Sequence, residues 1–108
     1  MENRTFAFIK TDKKLVKIFF KDIVVIKGLG NYVEVHTIEG KRYIYYRTLK
    51  DLIENLPDEF MRVHNSYIVN LTNIDSFEDN QLVCGNLKIT VAKSYKDCLL
   101  DTISKIML

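Results

Sequence analysis

Short runs of β-branched and aromatic residues, broken every few positions by Gly, Asn or Asp, recur along most of this chain. Connections that short restrict the topology. A parallel strand pair needs a crossover of a dozen or more residues, whereas an antiparallel pair needs only a tight turn. The expected fold is therefore mainly β, an antiparallel sheet or sandwich of short strands. A first pair covers residues 5–10 and 14–20 around the polar turn Thr11-Asp12-Lys13, and a short apolar strand follows at 22–26. Residues 32–37 and 41–47 then form a hairpin around Ile38-Glu39-Gly40. Residues 66–71, 74–78, 81–84 and 87–91 complete the strands, with tight turns at Asp79-Asn80 and Gly85-Asn86. Alternation in 32–37 puts Val33, Val35 and Thr37 on one face and Tyr32, Glu34 and His36 on the other, which makes His36 an exposed strand residue.

Two helical patterns punctuate the strands. Over residues 48–56, Leu49, Leu52, Ile53 and Leu56 fall at i, i+3, i+4 and i+7 behind Thr48 as N-cap, with Asp51 as an imperfect capping box and Pro57 as the stop. Near the C-terminus Tyr95, Cys98, Leu99, Thr102, Ile103 and Ile106 repeat that periodicity behind Ser94, with Asp97 in the box position. This second helix is expected to pack on the sheet or cap one end of it.

At 108 residues, 47% hydrophobic and 28% charged, the chain is sized and composed for one globular domain with its own core. No apolar run approaches the length of a membrane helix and no signal-peptide layout opens the chain, so the cytoplasm is the expected location. Cys84 and Cys98 lack metal or disulfide-scaffold spacing and read as small half-buried apolar residues, a redox switch being the other reading. The net charge of +2 favours an anionic partner only weakly, so the placement of the charges must decide.

Catalytic signatures are missing. His64-Asn65-Ser66 has no Gly-x-Ser-x-Gly elbow, His36 and His64 form no zinc motif, and Gly28-Leu29-Gly30-Asn31 lacks the third glycine, the helix and the Lys-Ser/Thr of a phosphate-cradling loop. Neither an enzyme nor a bound cofactor is implied. Three segments read as loops instead share one character: residues 27–31, 62–66 and 92–96. Each offers cations for phosphate and a group able to meet a base edge, namely Asn31, Asn65 and Lys93. Asn pairs bidentately with adenine N6 and N7, and Lys donates to guanine O6 and N7. Such loops on a rigid sheet suit a DNA-reading surface built from turns.

The run Phe60-Met61-Arg62-Val63-His64-Asn65-Ser66-Tyr67-Ile68-Val69-Asn70-Leu71 resembles the signature of the LytTR family, DNA-binding domains of bacterial response regulators. Asp22-Ile23, Gly30-Asn31-Tyr32-Val33, Thr48-Leu49-Lys50 and Ser94-Tyr95-Lys96 match in order around it. The resemblance implies an elongated β fold whose loops enter successive major grooves of double-stranded DNA at paired promoter repeats. It places base contacts on Asn31, Asn65 and Lys93. Phosphate contacts fall on Lys27, Lys50, Arg62, His64, Ser94, Tyr95 and Lys96. Two positions depart from the family pattern. Asn65 stands where Arg or Lys is frequent, shifting preference from guanine toward adenine, and Lys27 stands where an acidic residue is frequent. Relatives carry an N-terminal receiver domain phosphorylated by a sensor kinase. Residues 1–108 are then one output domain cut from a longer regulator, with residues 1–4 as linker, and it would dimerise on DNA. A protein-interaction module of the same fold is the alternative.

Overall fold

A five-stranded antiparallel sheet forms the middle of the molecule, built from β3 (Ile23–Leu29), β4 (Tyr32–Thr37), β5 (Arg42–Tyr45), β6 (Phe60–His64) and β7 (Tyr67–Asn70) in the order β5-β4-β3-β7-β6. A two-stranded ribbon, β1 (Phe6–Thr11) with β2 (Lys14–Phe19), and a three-stranded sheet of β8 (Ser76–Glu78), β9 (Gln81–Cys84) and β10 (Leu87–Thr90) accompany it. Two helices complete the fold, α1 (Leu49–Ile53) and α2 (Lys93–Ser104). The computed structural model describes residues 4–108, so most of the segment read as a linker lies outside the described residues. The shape is elongated, 41 × 29 × 25 Å. Among the described residues no helix is long and apolar enough to cross a membrane.

Period-2 alternation divides the central sheet between two cores. Ile26, Val33, Val35 and Ile68 face Ile9 and Ile18 of the ribbon and Leu49 of α1. Their strand neighbours Val25 and Val69, with Val63, face Leu82 and Ile89 of the small sheet and Leu99 of α2. The arrangement is thus a sandwich with three layers. On the second face, Glu34 and His36 of β4 are half-buried, and His36 Nε2 meets Glu34 Oε1 at 2.6 Å. His36 is therefore paired and partly covered, not the exposed strand residue that alternation alone suggests.

Turn chemistry follows the residues. Asp12 and Lys13 have φ of 49° and 62°, and Asp79 and Asn80 have 52° and 61°, the paired positive values of a type I′ hairpin turn. Two register shifts interrupt the large sheet, one between Ile23 and Val25 and one between Arg62 and His64. Each bulge adds a residue to one strand: the first lets Val24 join Val25 in the second core, and the second leaves Val63, in that core at 0% exposure, as the extra residue between Arg62 and His64.

Several boundaries differ from the sequence reading. β3 runs on through Lys27 and Gly28 to Leu29, because Lys27 is paired on both sides, with Glu34 and with Tyr67. Residues 62–66 are no loop: β6 occupies 60–64 and only Asn65-Ser66 turns. The last helix starts at Lys93 with Ala92 as its N-cap in place of Ser94, since Ala92 N–H is drawn to Val63 C=O at 2.8 Å. The first helix keeps its predicted cap, with Asp51 N–H donating to Thr48 Oγ1 at 3.2 Å, and is shorter than the periodic stretch.

Candidate nucleic-acid interface

The β6–β7 hairpin is held firmly at its open end. Phe60 is buried edge-to-face against Phe20, with ring centroids 5.9 Å apart. Asn70, fully buried, uses its whole hydrogen-bonding capacity. Its Nδ2 donates to the carbonyls of Phe20 and Ile23, each at 3.0 Å, and its Oδ1 accepts from Thr72 N–H at 3.1 Å and Thr72 Oγ1 at 2.7 Å. Sequence reading gave Asn70 no role. Its side chain clamps the one-turn 3₁₀ helix at Phe20–Asp22 onto the hairpin.

The closed end turns at Asn65-Ser66 and carries the polar groups. Ser66 N–H donates to His64 Nδ1 at 3.0 Å, so the neutral ring keeps its proton on Nε2, which remains a donor. Tyr67 lies against that ring at 5.0 Å. Arg62 Nη2 donates to Asn65 C=O at 2.7 Å, while Arg62 Nε is buried with no partner among the described residues. The Arg62 guanidinium sits 5.9 Å from the Tyr95 ring centroid, and Tyr95 Oη donates to Asn65 Oδ1 at 3.0 Å. Asn65 itself is exposed. The contact between residues 65 and 95 spans 30 positions and leaves no local signal in the sequence.

Hydrogen bonds tie the other two segments to this end. Gly28 N–H donates to Ser66 C=O at 2.8 Å, so the turn Gly30-Asn31 lies beyond the same end of the sheet, roughly 7 Å further along at strand spacing. Gly30 has φ +71° at the first turn position, the conformation that admits Gly in a type II′ turn, and Asn31 is exposed. Gly28 serves close approach. A Cβ there would lie 3.0 Å from Leu49 Cδ1, so its bareness lets α1 settle on β3 and brings exposed Lys50 to this end. The bond from Ala92 N–H to Val63 C=O sets the start of α2 beside β6. Lys93 and Ser94 are exposed there, in the first turn of a 12-residue helix whose free N–H groups favour anions.

The structure thus gathers Asn31, Asn65 and Lys93 at one end of the central sheet, with Lys50, Arg62, His64, Ser94, Tyr95 and Lys96 among them. Lys27 stands one step back, half-buried inside β3 across from Glu34. Cys84 belongs to the small sheet; burial, and then the Asp75 carboxylate, hold its thiol above the usual range. Cys98 is exposed on α2, and both thiols are free.

Comparison with known proteins agrees with this fold. One solved structure, a LytTr DNA-binding domain assigned to a methyl-accepting/DNA response regulator of Bacillus cereus, superposes with a TM-score of 0.80 at 21% identity, over 94% of this chain and 98% of that one. Among curated proteins nothing matches. The model of the LytTr DNA-binding domain matches residues 13–104, which takes in the central sheet, the small sheet and both helices. The chain belongs to the LytTR family of DNA-binding domains.

Proposed function

We propose that this domain binds duplex DNA sequence-specifically, as the output module of a bacterial two-component transcriptional regulator, and catalyses no reaction. Asn31, Asn65 and Lys93 meet base edges in the major groove. Lys27, Lys50, Arg62, His64, Ser94, Tyr95 and Lys96 face the phosphates around them. One observation carries the reading: three exposed groups with base-edge chemistry, drawn from segments far apart in sequence, stand at one end of one rigid sheet. Main-chain hydrogen bonds fix the segments against each other, which is what reading bases in register requires.

The cellular reading rests on membership of the family. Promoter repeats recruit two domains, and a receiver domain in the same regulator, phosphorylated by a sensor kinase in the cytoplasm, raises their effective concentration for one another. Selection of bound sites from random duplexes tests the proposal. It should return a short motif repeated at fixed spacing, bound with an affinity that falls steeply as salt rises. Affinity for the selected duplex no greater than for bulk competitor at low salt would sink it.

A further inference from the structure

Asn65 is gripped twice, at its carbonyl by Arg62 Nη2 at 2.7 Å and at its side-chain oxygen by Tyr95 Oη at 3.0 Å. The two gripping residues also touch each other, guanidinium over ring at 5.9 Å. Among the described residues Nδ2 makes no hydrogen bond, so the amide has two free N–H donors, while Tyr95 takes one of the two acceptor sites of its oxygen and holds that oxygen toward the Tyr95 side. A bidentate contact with adenine needs both halves of the amide, with Nδ2 donating to N7 and Oδ1 accepting from N6–H. A lone donor meets purine N7, which adenine and guanine share.

Resting on the DNA-binding reading above, we propose that Tyr95 is a specificity-setting positioning residue: its hydroxyl holds the Asn65 amide so that Asn65 acts as a donor-only reader of purines and not as a selective reader of adenine. Tyr95 then acts through Asn65, and because its hydroxyl proton is given to the protein, this proposal replaces the phosphate-facing role given to Tyr95 above. The Tyr95 ring supports the Arg62 guanidinium separately, which allows the two functions to be taken apart by removing only the hydroxyl.

Tyr95→Phe keeps the ring and removes that bond. Asn65→Ala first identifies, by site selection, the base position that Asn65 reads. At that position the unmodified domain should accept adenine and guanine about equally. Tyr95→Phe should raise adenine over guanine about five-fold, the size of one added hydrogen bond, at that position alone and with the salt slope unchanged. An unchanged adenine-to-guanine ratio would overturn the proposal, as would a uniform loss of affinity on every sequence, the signature of a hydroxyl contact to phosphate. A second arm uses no DNA. In the ¹H–¹⁵N spectrum of the free domain, Tyr95→Phe should shift the Asn65 side-chain amide pair, and an unmoved pair overturns the positioning role. Failure of site selection by the unmodified domain would instead count against DNA reading, with the spectrum still judging the Tyr95–Asn65 bond.

Discussion

The two ends of the β6–β7 hairpin each present an asparagine five residues from the other, and they are opposites. Asn70 is fully buried, with both donors and both acceptor sites filled by the protein. Asn65 is exposed, with its oxygen engaged and its nitrogen outward. The same side chain therefore serves as a structural clamp at one end and, in the proposed function, as a reading group at the other. Burial decides which, because a buried amide must be satisfied internally whereas an exposed one can wait for a ligand.

Mutating both ends tests this contrast. Asn70→Ala should have the largest effect, about 3 kcal/mol of lost stability in urea denaturation, because it strips partners from the Phe20 carbonyl and from Thr72. A loss under about 1 kcal/mol would mean that water satisfies those groups and that the clamp is unimportant. Asn65→Ala and Lys93→Ala should each cost on the order of 1–3 kcal/mol of discrimination at one base position while leaving stability within about 0.5 kcal/mol. Equal weakening on every sequence would break the division into clamp and reader.

Arg62→Ala sharpens the comparison further. It should weaken binding to all sequences and lower the salt slope by about one, measured by titration at several salt concentrations. The smallest effect is expected from Gly28→Ala, about 1 kcal/mol of stability, since the new Cβ must displace Leu49 by a few tenths of an ångström. That loss should shrink in a Leu49→Ala background. If it does not, contact with Leu49 is not the reason for glycine at position 28.

Much of the fold was legible because its determinants are local. Asp79-Asn80 and Gly85-Asn86 turn where the sequence says, Thr48 caps its helix, and Val33 and Val35 share a buried face. The three candidate base-reading residues were legible as residue types, and their gathering at one end followed from the family resemblance. What stayed hidden depends on partners distant in sequence. Lys27 looks like loop until Glu34 and Tyr67 pair with it on both sides. Ser94 looks like the N-cap until Val63 C=O captures Ala92 N–H. Residues 60–64 did not read as a strand because Phe60 and Val63 are three apart. The two lie in opposite cores, Phe60 in the first and Val63 in the second, and an odd interval between apolar residues of a strand covered on both faces was the available clue. The Tyr95–Asn65 bond had no clue at all.

The bulge at Val63 also bears on any effort to retarget this domain. Its side chain is locked into the second core and its carbonyl holds the start of α2. Positions 31, 65 and 93 can be treated as interchangeable cartridges, each randomised in a library while the frame stays constant. Chain length between Phe60 and Ser66 cannot. Deleting one residue there would remove the bulge and shift the following residues by one position against β7, displacing the Asn65-Ser66 turn and the Val63 carbonyl that holds the start of α2, so a library that varies loop length would lose the frame before it gained a new specificity.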